Sequence, residues 1–225
     1  MLELSGSWQA AYPGAAVGLL AMSGVANPEG HPLLERRRAE VEALLRSRYA
    51  GLDRGGLKAL PILRAYAAYY KRFDKTYHVL HQLESVALQG KAIPRVAALV
   101  EAMFMAELKN LLLTAGHDLE IIHQPVRVDV SDGSEQYTRL NGQEQVLKRG
   151  DMFIADAQGV ISSIIYGPDR RTQITPATRQ ALFTVYAPPG IERQAVQQHL
   201  QDIQSNVMLI APQAKVVALE VYGAG

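Results

Sequence analysis

The chain has 225 residues, 48% hydrophobic and 20% charged, which suits a packed core and excludes a disordered chain. It contains no cysteine, so disulfides, a thiolate nucleophile, thiolate zinc and iron–sulfur chemistry are excluded together. With 23 basic and 22 acidic residues the formal charge is +1, and the total draws the chain toward neither nucleic acid nor membrane.

The first apolar run, Ala15–Ser23, lies between Pro13-Gly14 and Gly24. It is far shorter than the ~18–20 residues of a bilayer crossing and reads as a core strand. Nothing precedes it that resembles a basic signal region, so a cytoplasmic protein with no membrane partner is expected. Asn27-Pro28-Glu29-Gly30 is a turn. From His31 to Tyr49 the apolar positions 33, 34, 41, 44 and 45 follow helical spacing, with Pro32 suited to the first turn. Gly51, Gly55 and Gly56 interrupt it. A second helix over 57–73 puts Leu60, Leu63, Tyr66 and Tyr70 on one side, and Pro61 marks a place where it could begin. A third, 77–88, ends at Gly90.

Residues 96–113 are apolar on nearly every side, which predicts a helix buried in the middle of the fold. Glu107 then falls among apolar neighbours, where a carboxylate needs a partner or a function. After Gly116 the pattern changes to strands. Val126–Val130 alternates, Asp132-Gly133 and Asn141-Gly142 are hairpin signals, and strands follow at 151–155, 160–166 and 180–186. A last helix, 192–208, and a strand, 216–222, close the sequence. Helices and antiparallel-looking strands are segregated, which gives an α+β class. One domain over 1–225 is expected, with an N-terminal strand and basic helical part to about 90 and a core helix and strand-rich part from about 91.

The charge is local rather than global. Residues 36–75 hold 11 basic against 4 acidic residues. Arg64, Lys71, Arg72 and Lys75 lie among Tyr49, Tyr66, Tyr69, Tyr70 and Phe73, and Lys91 follows. Cations with interleaved rings suit a polyanion backbone with stacked bases. A solvated helix face with tyrosines in the core is the competing account.

Three places can hold chemistry. His78-x-x-His81 sets two imidazoles at i, i+3, a weak metal spacing against ordinary surface histidines, and no metal site is assigned. Gly116-His117-Asp118 follows the buried helix, where His117 serves either as general base or as part of a helix C-cap. Tyr166-Gly167-Pro168-Asp169-Arg170-Arg171-Thr172 offers a phenol and two cations, either a clamp for phosphate or carboxylate or a turn with exposed ion pairs. Thr172, Thr175 and Thr178 read as caps and turn formers, with Thr175-Pro176 as a helix N-cap and N1. No GxSxG, Walker A or GxGxxG pattern is present.

The order of several segments resembles one family. Tyr12-Pro-Gly-Ala-x-Val-Gly-Leu-Leu20, Gly90-Lys-x-Ile-Pro-Arg-Val96, Gly116-His-Asp-Leu119, Gly150-Asp-Met-x-Ile-Ala-Asp156 and Arg171-Thr-x-Ile-Thr-x-x-Thr-Arg-x-Ala-Leu-Phe183 are similar to the free-standing B3/B4 domain proteins. These are related to the tRNA-binding, editing domain of the phenylalanyl-tRNA synthetase beta chain. The resemblance covers roughly residues 10–210. It implies two interleaved halves with mixed sheets and a buried central helix. It also implies a pocket among Pro94–Glu101, Ala115–Asp118 and Ser163–Asp169, and hydrolysis in trans of an amino acid wrongly esterified to tRNA. His117 is then the catalytic candidate. Arg95, Glu101, Asp118, Ser163, Tyr166, Gly167, Asp169 and Thr184 are the substrate-binding candidates, and Arg64, Lys71, Arg72, Lys75 and Lys91 would hold tRNA. No cofactor and no DNA partner are implied. The sequence departs from the family at Ala97, Ala115, Thr184 and Tyr166-Gly-Pro168, where the synthetase keeps polar or glycine-rich pocket residues. A non-catalytic module binding tRNA, an amino acid or a related small molecule is therefore the alternative.

Overall fold

The computed structural model describes residues 2–224. A long four-stranded sheet runs β11(Lys215–Gly223)-β2(Ala16–Ser23)-β10(Gln180–Ala187)-β3(Thr114–Asp118), antiparallel throughout. A second sheet has the order β1(Leu2–Leu4)-β4(Val126–Val130)-β7(Met152–Asp156)-β8(Gly159–Ser163)-β9(Gly167–Pro168), in which only β1 and β4 run parallel. A two-stranded ribbon, β5(Gln136–Thr138) and β6(Glu144–Val146), completes the strands. The class is α+β, as the segregation of periods requires.

The buried helix is α6, Ala98–Asn110, with Leu99, Ala102, Met105, Ala106 and Leu108 all withdrawn from solvent. It lies beside α7, Arg193–Ile210, on one face of the four-stranded sheet. Gly18 of β2 makes that closeness possible: a Cβ there would lie 2.6 Å from Val196 Cγ1 of α7. The basic stretch forms α2, Pro32–Arg48, then α3, Arg54–Lys58, and α4, Pro61–Lys71. Pro61 starts α4 because its missing N–H costs nothing in a first turn. Next, α5, His78–Leu83, runs into a π-helical turn, Glu84–Leu88. The chain opens with a short helix, α1, Gly6–Ala11, capped by the Ser5 hydroxyl.

The tyrosines of α4 join the two sheets. Tyr66 donates to the Tyr186 carbonyl of β10 and accepts from the Leu113 N–H. Tyr70 donates to the Ile164 carbonyl at 2.6 Å, and Tyr69 donates to Asp151 Oδ1 at 2.7 Å while accepting from the Met152 N–H. Tyr49, Tyr66, Tyr69, Tyr70 and Phe73 are all buried, so they are core and cannot stack on bases.

Two local expectations are corrected. Gly116 is no helix cap: α6 ends six residues earlier at Asn110, followed by Leu111 in the left-handed region at φ 62°, its carbonyl accepting from Tyr77 at 3.1 Å. The strand begins at Thr114, and Gly116 is small because Ile174 and Met103 close over it. Thr175-Pro176 starts no helix either. The Thr178 hydroxyl takes the Thr175 N–H at 2.9 Å and donates to Asp118 at 2.7 Å, which folds the segment into a turn against β3.

Candidate functional site

Period-2 alternation on β3 decides what His117 can meet. Gly116 faces α6, since a Cβ there would lie 3.3 Å from Met103 Sδ, so His117 faces away from it, toward β9 and the segment after it. The ring is fully buried. Its Nδ1 lies 2.8 Å from Thr172 Oγ1, and that hydroxyl donates to Asp169 Oδ1. A hydroxyl has one proton, and here the carboxylate takes it. His117 Nδ1 must therefore donate to Thr172, which leaves Nε2 as a bare lone pair. Nε2 is buried and has no hydrogen-bond partner. Burial, with Arg171 adding repulsion, pushes the imidazole pKa down to about 3, so the ring is neutral.

The second fully buried histidine shows what a structural one looks like. His199 sits 2.7 Å from Thr114 Oγ1 through Nε2 and 3.3 Å from Asn110 Nδ2 through Nδ1. Both of its nitrogens are engaged, whereas His117 has one left over.

Around His117 the acids are held in place. Asp169 also accepts the Thr172 N–H, and burial raises its pKa above the usual carboxylate value. Arg171 grips Asp156 at 2.7 and 2.9 Å and reaches to 3.8 Å from Asp169. Asp118 accepts from Thr178, and its own N–H donates to the Thr172 carbonyl at 2.7 Å. Thr184 is buried in β10 opposite Ala115, its hydroxyl 3.5 Å from the Ala115 carbonyl, on the same face as His117.

A second cluster gathers beside α4. Ser163 accepts the Tyr166 N–H at 3.0 Å, and the Gly167 carbonyl accepts the Tyr137 hydroxyl at 2.7 Å. Tyr166 rests on the small apolar cluster of Tyr137, Leu147, Phe153, Ala155 and Val160, with Lys75 Nζ 5.7 Å from its ring centre. Asp151 lies below. Burial pushes its carboxyl up to about 7 despite the hydrogen bond from Tyr69, and its Oδ2 has no hydrogen-bond partner. Asp151 and Thr172 are the two polar centres that residue-by-residue reading passes over. The signal for Asp151 was its place in Gly150-Asp-Met, and for Thr172 its neighbour Arg171.

Arg95 and Glu101 belong elsewhere. Arg95 is exposed and pairs with Glu35 of α2 at 3.2 Å, and Glu101 is buried against Arg38 of α2 at 2.8 Å. Two of the three expected pocket segments therefore meet at Thr172 and Asp169, while the start of α6 faces α2. One side chain ties that start to the site. Asn27 accepts the Leu99 N–H at 2.9 Å and donates to the Thr175 carbonyl at 3.0 Å.

The cations divide by helix. On α2, Arg36 and Arg37 share Glu40, Arg38 takes Glu101 and Arg46 takes Glu42. Lys58, Arg64, Lys71, Arg72 and Lys75 are exposed and, among the described residues, pair with no carboxylate. Helical spacing puts Arg64 and Lys71 on one outer ridge of α4, opposite the tyrosines, and Lys75 follows in the turn beyond the helix end. Lys91 is not on that ridge: its N–H bonds the Ser85 carbonyl at 2.9 Å, beside the π-helical turn. Among the described residues no group of three or more His, Asp or Glu is arranged to hold a metal ion, and no helix is long and apolar enough to cross a membrane.

A family model described as the B3/4 domain matches residues 63–208. Among solved structures, an N-terminal fragment of the phenylalanyl-tRNA synthetase beta-subunit from Pyrococcus horikoshii is similar, with TM-score 0.51 and 10% identity, over 96% of this chain and 50% of that one. At that identity the likeness shows the fold, and this chain spans half the length of that fragment. Comparison with curated proteins gives no match.

Proposed function

The chain belongs to the B3/4 domain family, and we propose that it binds transfer RNA along the outer ridge of α4. The observation that carries this reading is the split in the basic segment. Four of the five α2 arginines are paired with carboxylates and the fifth, Arg48, is held at the Lys109 carbonyl at 2.9 Å, whereas five cations on α3, α4 and the turn beyond are left for an external anion. The ridge ends at Lys75, against Tyr166, so a strand following it arrives at the Ser163–Tyr166 cluster.

Five phosphate contacts predict a fall of log affinity with log salt of slope about −4 to −5 on duplex RNA. Fluorescence anisotropy with a labelled tRNA measures it across salt. Replacing Arg64, Lys71 and Lys75 by Ser is expected to reduce the slope by about three and affinity at low salt by more than tenfold. Replacing Arg36 and Arg37, already paired, is expected to change little. Equal losses from the two sets, or a flat salt response, would remove the α4 ridge as the interface.

Hydrolysis of a mischarged aminoacyl ester is a second reading, favoured by His117 Nε2. With its pKa near 3 the ring orients a water by accepting a hydrogen bond rather than deprotonating it outright. Water adds to the ester carbonyl, and its proton leaves with the ribose oxygen as the acyl bond breaks. Enclosure of Nε2 ranks this reading after binding. Ester loss from a panel of mischarged tRNAs, abolished in a folded His117→Gln variant, supports it; no ester loss from any tRNA leaves a binding module alone.

A further inference from the structure

Phe104 and Leu108 of α6 turn away from Met103, which faces β3, and together with Val86 they form the apolar wall of a cavity of about 310 Å³ between α6 and the π-helical turn. This volume lies at the small end of the ~300–1,000 Å³ range of ligand sites. The cavity belongs to neither cluster described above.

Three polar features face it. Gln82 presents a side-chain carbonyl oxygen that is buried and has no donor. Buried acceptors without partners are rare enough in folded proteins to ask for an explanation. Lys91 is exposed at the edge with no carboxylate partner among the described residues. Its backbone is fixed on both sides, by its own N–H to Ser85 and by Arg46 Nη2, 3.4 Å from its carbonyl. His81 is the third. The nearby Glu84 carboxylate is shared between Arg54 at 3.5 Å and His81 at 3.9 Å, so it does not cancel Lys91. Ser85 and Val86 of the π-helical turn line this side of the cavity, and such turns recur at functional sites.

We propose that this cavity binds a small amphipathic carboxylate: an apolar, ring-sized body against Phe104 and Leu108, an N–H or O–H donor to Gln82, and the carboxylate on Lys91.

Three probes separate the features on the full chain, followed by amide chemical shifts. Indole-3-acetate carries the ring, donor and carboxylate; indole lacks the carboxylate; naphthalene-1-acetate lacks the donor. Indole-3-acetate is expected to saturate, with shifts centred on Gln82, Val86 and Leu108. Indole is expected to bind about tenfold more weakly, and naphthalene-1-acetate about threefold to fivefold more weakly. Lys91→Ala, at an exposed position that leaves folding intact, is expected to bring indole-3-acetate down to the level of indole. Gln82→Leu is expected to erase the difference between the two acetates. No saturation up to about 5 mM, equal affinity for the three probes, or shifts centred on Arg38 and Arg95 would each overturn the assignment.

Discussion

Replacing Glu107 by Gln is expected to flatten the pH dependence of stability on the neutral side. The carboxyl is buried on α6, where it accepts the Thr114 N–H at 3.0 Å, and His78 Nε2 lies 4.0 Å away. Burial pushes its pKa up from 4.5 to about 8, with the Thr114 hydrogen bond opposing. The fold therefore prefers the protonated acid. Its contribution is complete below pH 4.5 and disappears as the pH climbs through about 8. Between these values the native state holds one more proton than the unfolded chain, and stability falls by about 1.4 kcal/mol per pH unit, or about 3 kcal/mol from pH 5 to pH 7. Gln keeps the acceptor for Thr114 and has no proton to lose. Urea unfolding at a series of pH values, followed by fluorescence of the single, fully buried Trp8, gives both profiles. Asp151, His117 and His199 titrate in both proteins, so their effects cancel in the difference. Parallel profiles would refute the reasoning, because they would mean that Glu107 is already ionised in the folded protein.

Thr172→Val keeps the shape of the hydroxyl residue but strands His117 Nδ1 and leaves Asp169 only the backbone N–H of residue 172. The expected cost is about 2–4 kcal/mol of stability, measured by chemical denaturation, and a loss near zero would show that the Asp169–Thr172–His117 chain is not formed. Gly116→Ala forces a methyl to within 2.8 Å of Ile174 Cδ1, and is expected to cost about 1–3 kcal/mol. An Ile174→Val partner that recovers much of this loss would identify Ile174 as the obstacle, while no recovery would place the strain in the strand.

Much of the fold was legible because the core is periodic. Ala16–Ser23, Pro32–Arg48, Ala98–Asn110 and Arg193–Ile210 lie within a few residues of where the apolar patterns put them. What escaped was set by partners distant in sequence. The three-residue β1 has no pattern to read, and it exists because β4 lies alongside it. Leu111 takes a left-handed conformation that no local rule assigns to leucine, since the chain must turn there to bring Leu112 and Leu113 into the core. The cations and tyrosines of 36–75 were visible as a mixture, but which arginines are neutralised depends on Glu101 and Glu84, far along the chain. At the candidate site, His117, Asp118 and Asp169 were visible as polar residues in apolar company. Their common partner Thr172 carried only an indirect mark, its neighbour Arg171, because threonine in a turn-rich segment by itself reads as a turn former.

Asn27 holds two pieces of the molecule with one amide. Its oxygen finishes the first turn of α6, and its nitrogen restrains the Thr175 backbone three residues beyond Thr172. Lifting that segment to let anything reach the His117 ring would also unfasten the helix at its beginning. Admission to the site and fraying of the central helix are thus coupled through a single residue that touches neither the imidazole nor its acid.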